Sequence, residues 1–267
     1  MARRTIRQSR IYIAGHTGRL GSALVRHLEE TKNIELVTYT HAELDLLDQR
    51  AVLQQLKHDR PGTVIIAAGR LATADIINDY PAQFLYENLT LYSNLIHGAW
   101  ACGARNLICP LTTLIYPVDA PDPLHPDFLE TGATDPDFAP VIQAQLTALR
   151  LCLWYRQQYN RQYVPVIMPQ LYDDREADRL HNASIPGMLE RLFRYAREEG
   201  LQEIEIPGTG EEKVSLLHAD KAAEMLLHVL DEKDEQIVQL PGEPASDLAS
   251  LIRTQAEQNG FQGEIRF

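Results

Sequence analysis

Two stretches of the chain concentrate residues that could do chemistry. In "AGHTGRLGSA", Gly15, Gly18 and Gly21 recur at G-x-x-G-x-x-G spacing, with His16, Thr17, Arg19 and Leu20 between them. Glycines so spaced permit a tight turn, let a backbone approach a pyrophosphate and let a helix pack closely on a strand. A helix starting there would offer unpaired N–H groups and the positive end of its dipole to phosphate oxygens. The second stretch, "LYDDREADRLHN", brings Asp173, Asp174, Arg175, Glu176, Asp178 and His181 together. Carboxylates beside an imidazole suit proton transfer or metal binding. The plainer reading is a solvated loop, because surface loops are commonly this charged.

The elements needed to position the glycines are legible. "RIYIAG" reads as an apolar strand, and the residues after Gly18 as an amphipathic helix. Strand–helix alternation continues with strands "IELVTYT", "GTVIIAAG", "NLICPL" and "YVPVIMP". Between them lie helices in "HAELDLLDQRAVLQQLKHD" and "PAQFLYENLTLYSNLIHGAWACG", and one running from about 139 to Tyr159. Such alternation predicts an α/β fold, a doubly wound parallel sheet covered on both faces. The Pro- and Asp-rich stretch from Tyr116 to Pro140 is a loop, since sheet elements flank it. The expected organisation is a dinucleotide-binding core over 1–170 and a small subdomain over 171–267, interleaved with the last sheet elements.

Bulk properties narrow the functional classes. The 267 residues are 45% apolar and 23% charged, enough for a large core, and the formal net charge is -12. That charge would repel a nucleic-acid backbone, and no basic patch is evident beyond the N-terminal "ARRTIRQSR". No apolar h-region follows that run, and no apolar stretch approaches the ~20 residues of a membrane span. The expectation is a cytoplasmic protein without membrane or nucleic-acid partners. Cys102, Cys109 and Cys152 lack metal-ligand spacing and read as reduced thiols; no metal is expected.

From Arg10 onwards the chain resembles the GDP-L-fucose synthase family of extended short-chain dehydrogenases. The matching pieces are "IYIAGHTG", "THAELDLLDQRAV", "YPAQFLYENL", "SNLIHGAW", "LIYP", "LCLWYRQQYNRQY" and "LLHADKAAE". The resemblance implies a Rossmann-like fold, a nicotinamide cofactor and a GDP-4-keto-6-deoxy sugar that is epimerised and reduced. It implies cofactor contacts from Gly15 to Gly21, from Asp45 and Leu46 near the adenine, and from Ala67, Ala68 and Gly69. Arg191 matches a family arginine that meets the substrate's diphosphate, and His218 in "LLHAD" reads as a packed histidine.

The departures are as informative. The family's Tyr-x-x-x-Lys pair falls on Val141 and Gln145, which share one helical face. There the lysine would lower the tyrosine's pKa for general acid–base work. Valine has no proton to give and glutamine no charge. The family's Ser-Ser-Cys becomes Thr112, Thr113 and Leu114, and its catalytic histidine aligns with Ala183. Tyr116 is a candidate displaced acid, with a positional role as the alternative. Two arginines that recognise the 2'-phosphate of NADPH fall on Thr17 and Tyr39, so NAD is favoured over NADP, with loss of the cofactor as the alternative. A family tryptophan and arginine become Pro207 and Val214, and the chain stops at "GEIRF" where the family runs on, so a truncated substrate subdomain is expected.

Two readings follow. One is a degenerate sugar-nucleotide dehydrogenase acting as a binding or regulatory subunit. The other is an enzyme with altered lyase, dehydratase or isomerase chemistry, using Thr112, Thr113, Tyr116 or the Asp173, Asp174 and His181 loop. The helices near 82–101 and 141–159 carry Leu146, Leu149, Leu153 and Trp154 on more than one face, which points to a homodimer or a heteromer with an active paralogue.

Overall fold

A computed structural model describes residues 10–29, 31, 33–121, 123–174, 184–230, 235–243 and 246–267. In chain order, the first half holds β1 (Arg10–Ala14), α1 (Arg19–Glu29), β2 (Glu35–Val37), α2 (Gln49–Asp59), β3 (Thr63–Ile66), α3 (Ala74–Asp79), α4 (Pro81–Ala101) and β4 (Asn106–Thr112). Then come α5 (Ala139–Tyr159), β5 (Gln162–Met168), β6 (Gln170–Tyr172), α6 (Ile185–Glu198), β7 (Glu203–Glu205), β8 (Lys213–Val214) and β9 (Leu216–His218). The chain closes with α7 (Ala219–Val229), β10 (Val238–Gln239), β11 (Ser246–Asp247), α8 (Leu248–Gln258) and β12 (Glu264–Arg266).

These elements form two compact units. The first takes the chain up to Met168 together with Ala219–Leu240; the second takes Pro169–His218 and Pro241–Phe267.

The first unit is built on a parallel six-stranded sheet ordered β10-β5-β4-β3-β1-β2. Its strands are nearly continuous apolar runs, as in "IYIA" and "TVII", because helices cover both faces. Ile11, Ile13, Val64, Ile65, Leu107 and Ile108 are fully buried. The strand order reverses between β1 and β3, and in open sheets of this kind the crevice at the carboxyl ends beside that reversal is where ligands bind. α4 and α5 pack side by side on the sheet, burying Leu95, Ile96, Ala99, Ala144, Ala148 and Cys152 in one core. Leu149 belongs to that core, Leu146 and Leu153 are half-buried, and Trp154 points outward at 58% exposure.

The second unit rests on three short strand pairs, β6 with β9, β8 with β11 and β7 with β12. α6 and α8 pack over a core of Leu189, Phe193, Ala196, Ile252, Ala256 and Phe261, with the Phe193 and Phe261 rings 5.4 Å apart. Among the described residues, no helix is long and apolar enough to cross a membrane.

Candidate functional site

The glycine turn lies at the carboxyl end of β1, against the end of β3. Gly15 adopts φ +82°, and a Cβ there would stand 2.8 Å from the Ala67 carbonyl oxygen and from the Ala68 backbone. A Cβ on Gly21, in the first turn of α1, would stand 2.1 Å from the Gly15 carbonyl oxygen. The Gly18 amide donates to the Gly15 carbonyl at 3.0 Å, closing the turn. Thr17 is exposed at the tip, whereas Leu20 is buried, so its side chain serves the core and only its backbone faces the turn. His16 Nδ1 is buried with no hydrogen-bond partner among the described residues.

These features fit a dinucleotide. The glycines let β1, β3 and α1 pack backbone to backbone, and α1 presents its N-terminus with no acidic residue in its first turn. A bound dinucleotide would supply a hydride donor or acceptor, and the residues that would hold its phosphates are Gly15–Gly21.

The wall opposite is fixed from α4. Asn88, 2% exposed, accepts from the Arg70 amide at 2.8 Å and donates to the Arg70 and Phe84 carbonyls, both at 2.9 Å. That clamps the segment following Ala67, Ala68 and Gly69. Asn94 Nδ2 donates likewise to the Leu46 carbonyl at 2.9 Å, tying the loop between β2 and α2 to the same helix. Asp45 is exposed and its side chain accepts from the Leu47 amide at 2.9 Å. Tyr39 donates to Asp59 Oδ2 at 3.0 Å and accepts from Gln55 Nε2 at 2.7 Å. Burial, then the Asp59 carboxylate, raises its pKa.

At the end of β4, Thr112 is bound twice by α5. Its amide and its hydroxyl both donate to Gln145 Oε1, at 2.8 and 3.0 Å, and Gln145 is 5% exposed. Thr113 opens a 3-10 turn whose carbonyl accepts from the Tyr116 amide at 3.1 Å. Tyr116 is 3% exposed; its hydroxyl donates to Gln239 Oε1 at 2.8 Å, and burial pushes its pKa up to about 12. Val141 is buried in a small apolar cluster with Ile77 and Phe84, against which Leu71, Ala72 and Phe138 pack. Neither position of the pair one helical turn apart carries an ionisable group, and the first lies under an apolar cover supplied partly by α3.

The acidic stretch belongs to the second unit. Asp173 is buried, whereas the Asp174 side chain is 92% exposed with its Oδ1 3.6 Å from His218 Nε2. Tyr172 donates to the Glu243 carboxylate at 3.0 Å, and its ring meets that of His218 edge-on at 5.1 Å. Burial first, and Glu243 second, push the Tyr172 pKa up to about 12. Tyr172, Asp173, Asp174 and Glu243 line a cavity of about 480 Å³ with Glu190 and Val214. Arg191 is half-buried beside Glu190 on α6. His181, with Arg175, Glu176, Asp178 and Ala183, lies outside the described residues. Among the described residues, no group of three or more His, Cys, Asp or Glu could hold a metal ion.

Sequence reasoning missed the partners that do the holding: Gln239 for Tyr116, Gln55 and Asp59 for Tyr39, and Glu243 for Tyr172. Each is distant in sequence from its partner and sits in no motif. Asn88 and Asn94 did carry a signal, as amides on an otherwise apolar helix face.

A family model described as the NAD dependent epimerase/dehydratase family matches residues 11–240. GDP-L-fucose synthase of Escherichia coli strain K12 is 33% identical over 224 residues, covering 84% of this chain and 70% of the relative. GDP-L-fucose synthase 1 of Arabidopsis thaliana is 31% identical over 263 residues, covering 97% of this chain and 80% of the relative. Among solved structures, a GDP-mannoheptose C4 reductase from Campylobacter jejuni with NADP bound is similar at a TM-score of 0.87 and 25% identity, covering 97% of this chain and 87% of that one.

Proposed function

The chain belongs to the NAD dependent epimerase/dehydratase family, and from that premise we propose that it binds a nicotinamide dinucleotide without the epimerase/reductase turnover of its GDP-L-fucose synthase relatives. It serves as a cytoplasmic binding or regulatory subunit in carbohydrate or secondary metabolism, with a nucleotide sugar or related small molecule as second ligand. The observation that carries this reading is the state of positions 141 and 145. Val141 is packed in apolar surroundings, and Gln145 spends its carbonyl oxygen on Thr112. A positioned proton donor is worth roughly 10²–10⁴ in rate, and a valine under an apolar cover supplies none. NAD is the favoured dinucleotide, because Thr17 and Tyr39 stand where a 2'-phosphate would need cations.

The test is the purified chain supplied with the GDP-4-keto-6-deoxy sugar and NADPH or NADH, beside a working relative. Dinucleotide binding with no oxidation of the reduced nicotinamide supports the proposal. Turnover at rates comparable to the relative's overturns it.

A second reading, altered chemistry, is favoured by one observation: Tyr172, Glu243 and Asp174 line one cavity, with His218 against Tyr172 and Asp174. A dimer, or a heteromer with an active paralogue, would form through α4 and α5. Tyr86 and Trp154 expose large rings there, at 67% and 58%.

A further inference from the structure

The crevice at the carboxyl ends of an open parallel sheet receives ligands, so a cation placed there selects what binds. β3 ends at Ile66, and Arg70 lies just past the Ala67 and Ala68 backbone that closes on the glycine turn. From Pro61 to Leu149 the chain has no lysine or arginine except Arg70 and Arg105, and Arg105 precedes β4, at the opposite margin of the sheet. The segments that follow β3 and β4 therefore offer a ligand one permanent positive charge.

That charge is held from several sides. Asn88 spends both ends of its nearly buried amide on the Arg70 backbone, accepting from its amide and donating to its carbonyl. The guanidinium lies over the Phe84 ring, with Cζ 4.3 Å from the centroid. Its Nη1 donates to Glu87 Oε2 at 2.7 Å, and Glu87 is steadied in turn by Gln83, whose Nε2 donates to Oε1 at 2.7 Å. Ring and carboxylate thus fix the plane and one corner of the guanidinium. Among the described residues, no hydrogen bond uses its Nε or Nη2, and the side chain is 39% exposed. Nε and Nη2 make the side-on fork that matches two oxygens of a carboxylate or phosphate. Phe84 shares an apolar cluster with Val141, so the guanidinium stands at the edge of the cover over the position where the family has its tyrosine.

We infer that Arg70 is the anion-binding residue of the crevice: its Nε–Nη2 fork receives an oxyanion, carboxylate or phosphate, carried by the second ligand. The inference rests on the reading above, in which the glycine turn and α1 serve the dinucleotide's own phosphates, and deepens it by giving the second ligand's chemical class. Glu87 is the built-in rival, pairing with the same guanidinium and partly cancelling its charge.

The experiment follows the arginine Nε–Hε magnetic resonances of the isotope-labelled whole chain during titration with sodium acetate and with sodium phosphate, each against a chloride background of equal ionic strength. Arg70→Lys identifies the Arg70 signal by its loss. That signal should shift and saturate with acetate, phosphate or both, at concentrations about tenfold below those that move the signal of exposed Arg105. Saturation by acetate alone assigns a carboxylate, and by phosphate alone a phosphate. Glu87→Gln removes the rival charge and should lower the half-saturating concentration about threefold. Arg70→Gln should leave NADH affinity in calorimetric titration unchanged. An Arg70 signal that moves no sooner than that of Arg105 marks adventitious ion pairing and overturns the inference, as does a half-saturation indifferent to E87Q. A fall in NADH affinity in R70Q assigns Arg70 to the dinucleotide's phosphates and overturns it too. The anion titrations are run without nucleotide, so a wild type that fails to bind NADH removes the dinucleotide reading and leaves a saturating anion site standing.

Discussion

Gln145 and Thr112 are joined twice through a single atom: Oε1 of the glutamine accepts both the amide and the hydroxyl of the threonine. The Thr112 hydroxyl proton is therefore directed into α5, so its oxygen can accept but not donate toward a bound carbonyl. Replacing Gln145 by Leu strands two donors in a nearly buried place. The expected cost is about 2–4 kcal/mol in denaturant unfolding, with dinucleotide affinity changed little. A loss below about 0.5 kcal/mol would show that the double bond contributes nothing.

Restoring the family's pair should fail. Val141→Tyr overfills the cluster of Ile77 and Phe84, and Gln145→Lys removes the acceptor that the Thr112 amide and hydroxyl share. The double variant should lose about 3 kcal/mol of stability and gain no NADPH oxidation with the GDP-4-keto-6-deoxy sugar. A melting temperature equal to the wild type's, with activity appearing, would contradict this.

Gly21→Ala should be among the most damaging single changes. Its Cβ would press on the Gly15 carbonyl at 2.1 Å, and backbone on both sides leaves nothing flexible to yield. The expected result is a loss of about 3 kcal/mol or more and loss of dinucleotide binding, read by chemical denaturation and titration. Gly103→Ala is the control. It shares the left-handed backbone of Gly15, at φ +89°, but has nothing within 4 Å of its Cβ, so it should cost strain without affecting ligand.

Alkaline stability should decline from about pH 10 upward. Tyr116 and Tyr172 have folded pKa values raised to about 12 from an ordinary 10. The folded state thus holds protons that the unfolded chain releases, and stability present below pH 10 is lost as pH rises toward 12. The more deeply buried Tyr12 and Tyr163 are raised in the same direction by burial. Tyr116→Phe should flatten the urea-midpoint curve over that range. An unchanged slope would remove Tyr116 from the account.

Association through α4 and α5 is tested by Trp154→Glu together with Tyr86→Glu. Both side chains are exposed, so the protomer should keep its fold while its sedimentation mass falls to that of one chain. A wild type already of that mass would exclude the interface.

The sheet and its glycine turn were legible because they depend on local patterns. Apolar strand runs, alternation with amphipathic helices and glycines forced by backbone approach all recur within short windows. The vacancy at Val141 and Gln145 was legible too, through resemblance. What surrounds those two side chains was not. That Gln145 turns its oxygen onto β4, and that Val141 is roofed by α3, are facts of tertiary packing between segments far apart in the chain. β6 through β9 and β11, strands of two or three residues, were also missed, since their pairing rather than their periodicity defines them.

The first unit is interrupted between Met168 and Ala219, and its outermost strand, β10, pairs with β5 at Val166 with Val238 and Ile167 with Gln239. During synthesis on the ribosome, β5 therefore emerges as a bare sheet margin and stays so until the intervening fifty or so residues and α7 have followed it. That delay exposes a nearly all-buried apolar strand, "QYVPVIM", to mispairing with nascent neighbours. Pro165, centrally placed in that strand, cannot donate to the β10 side or any other, which leaves the waiting margin one hydrogen bond poorer for an intruder.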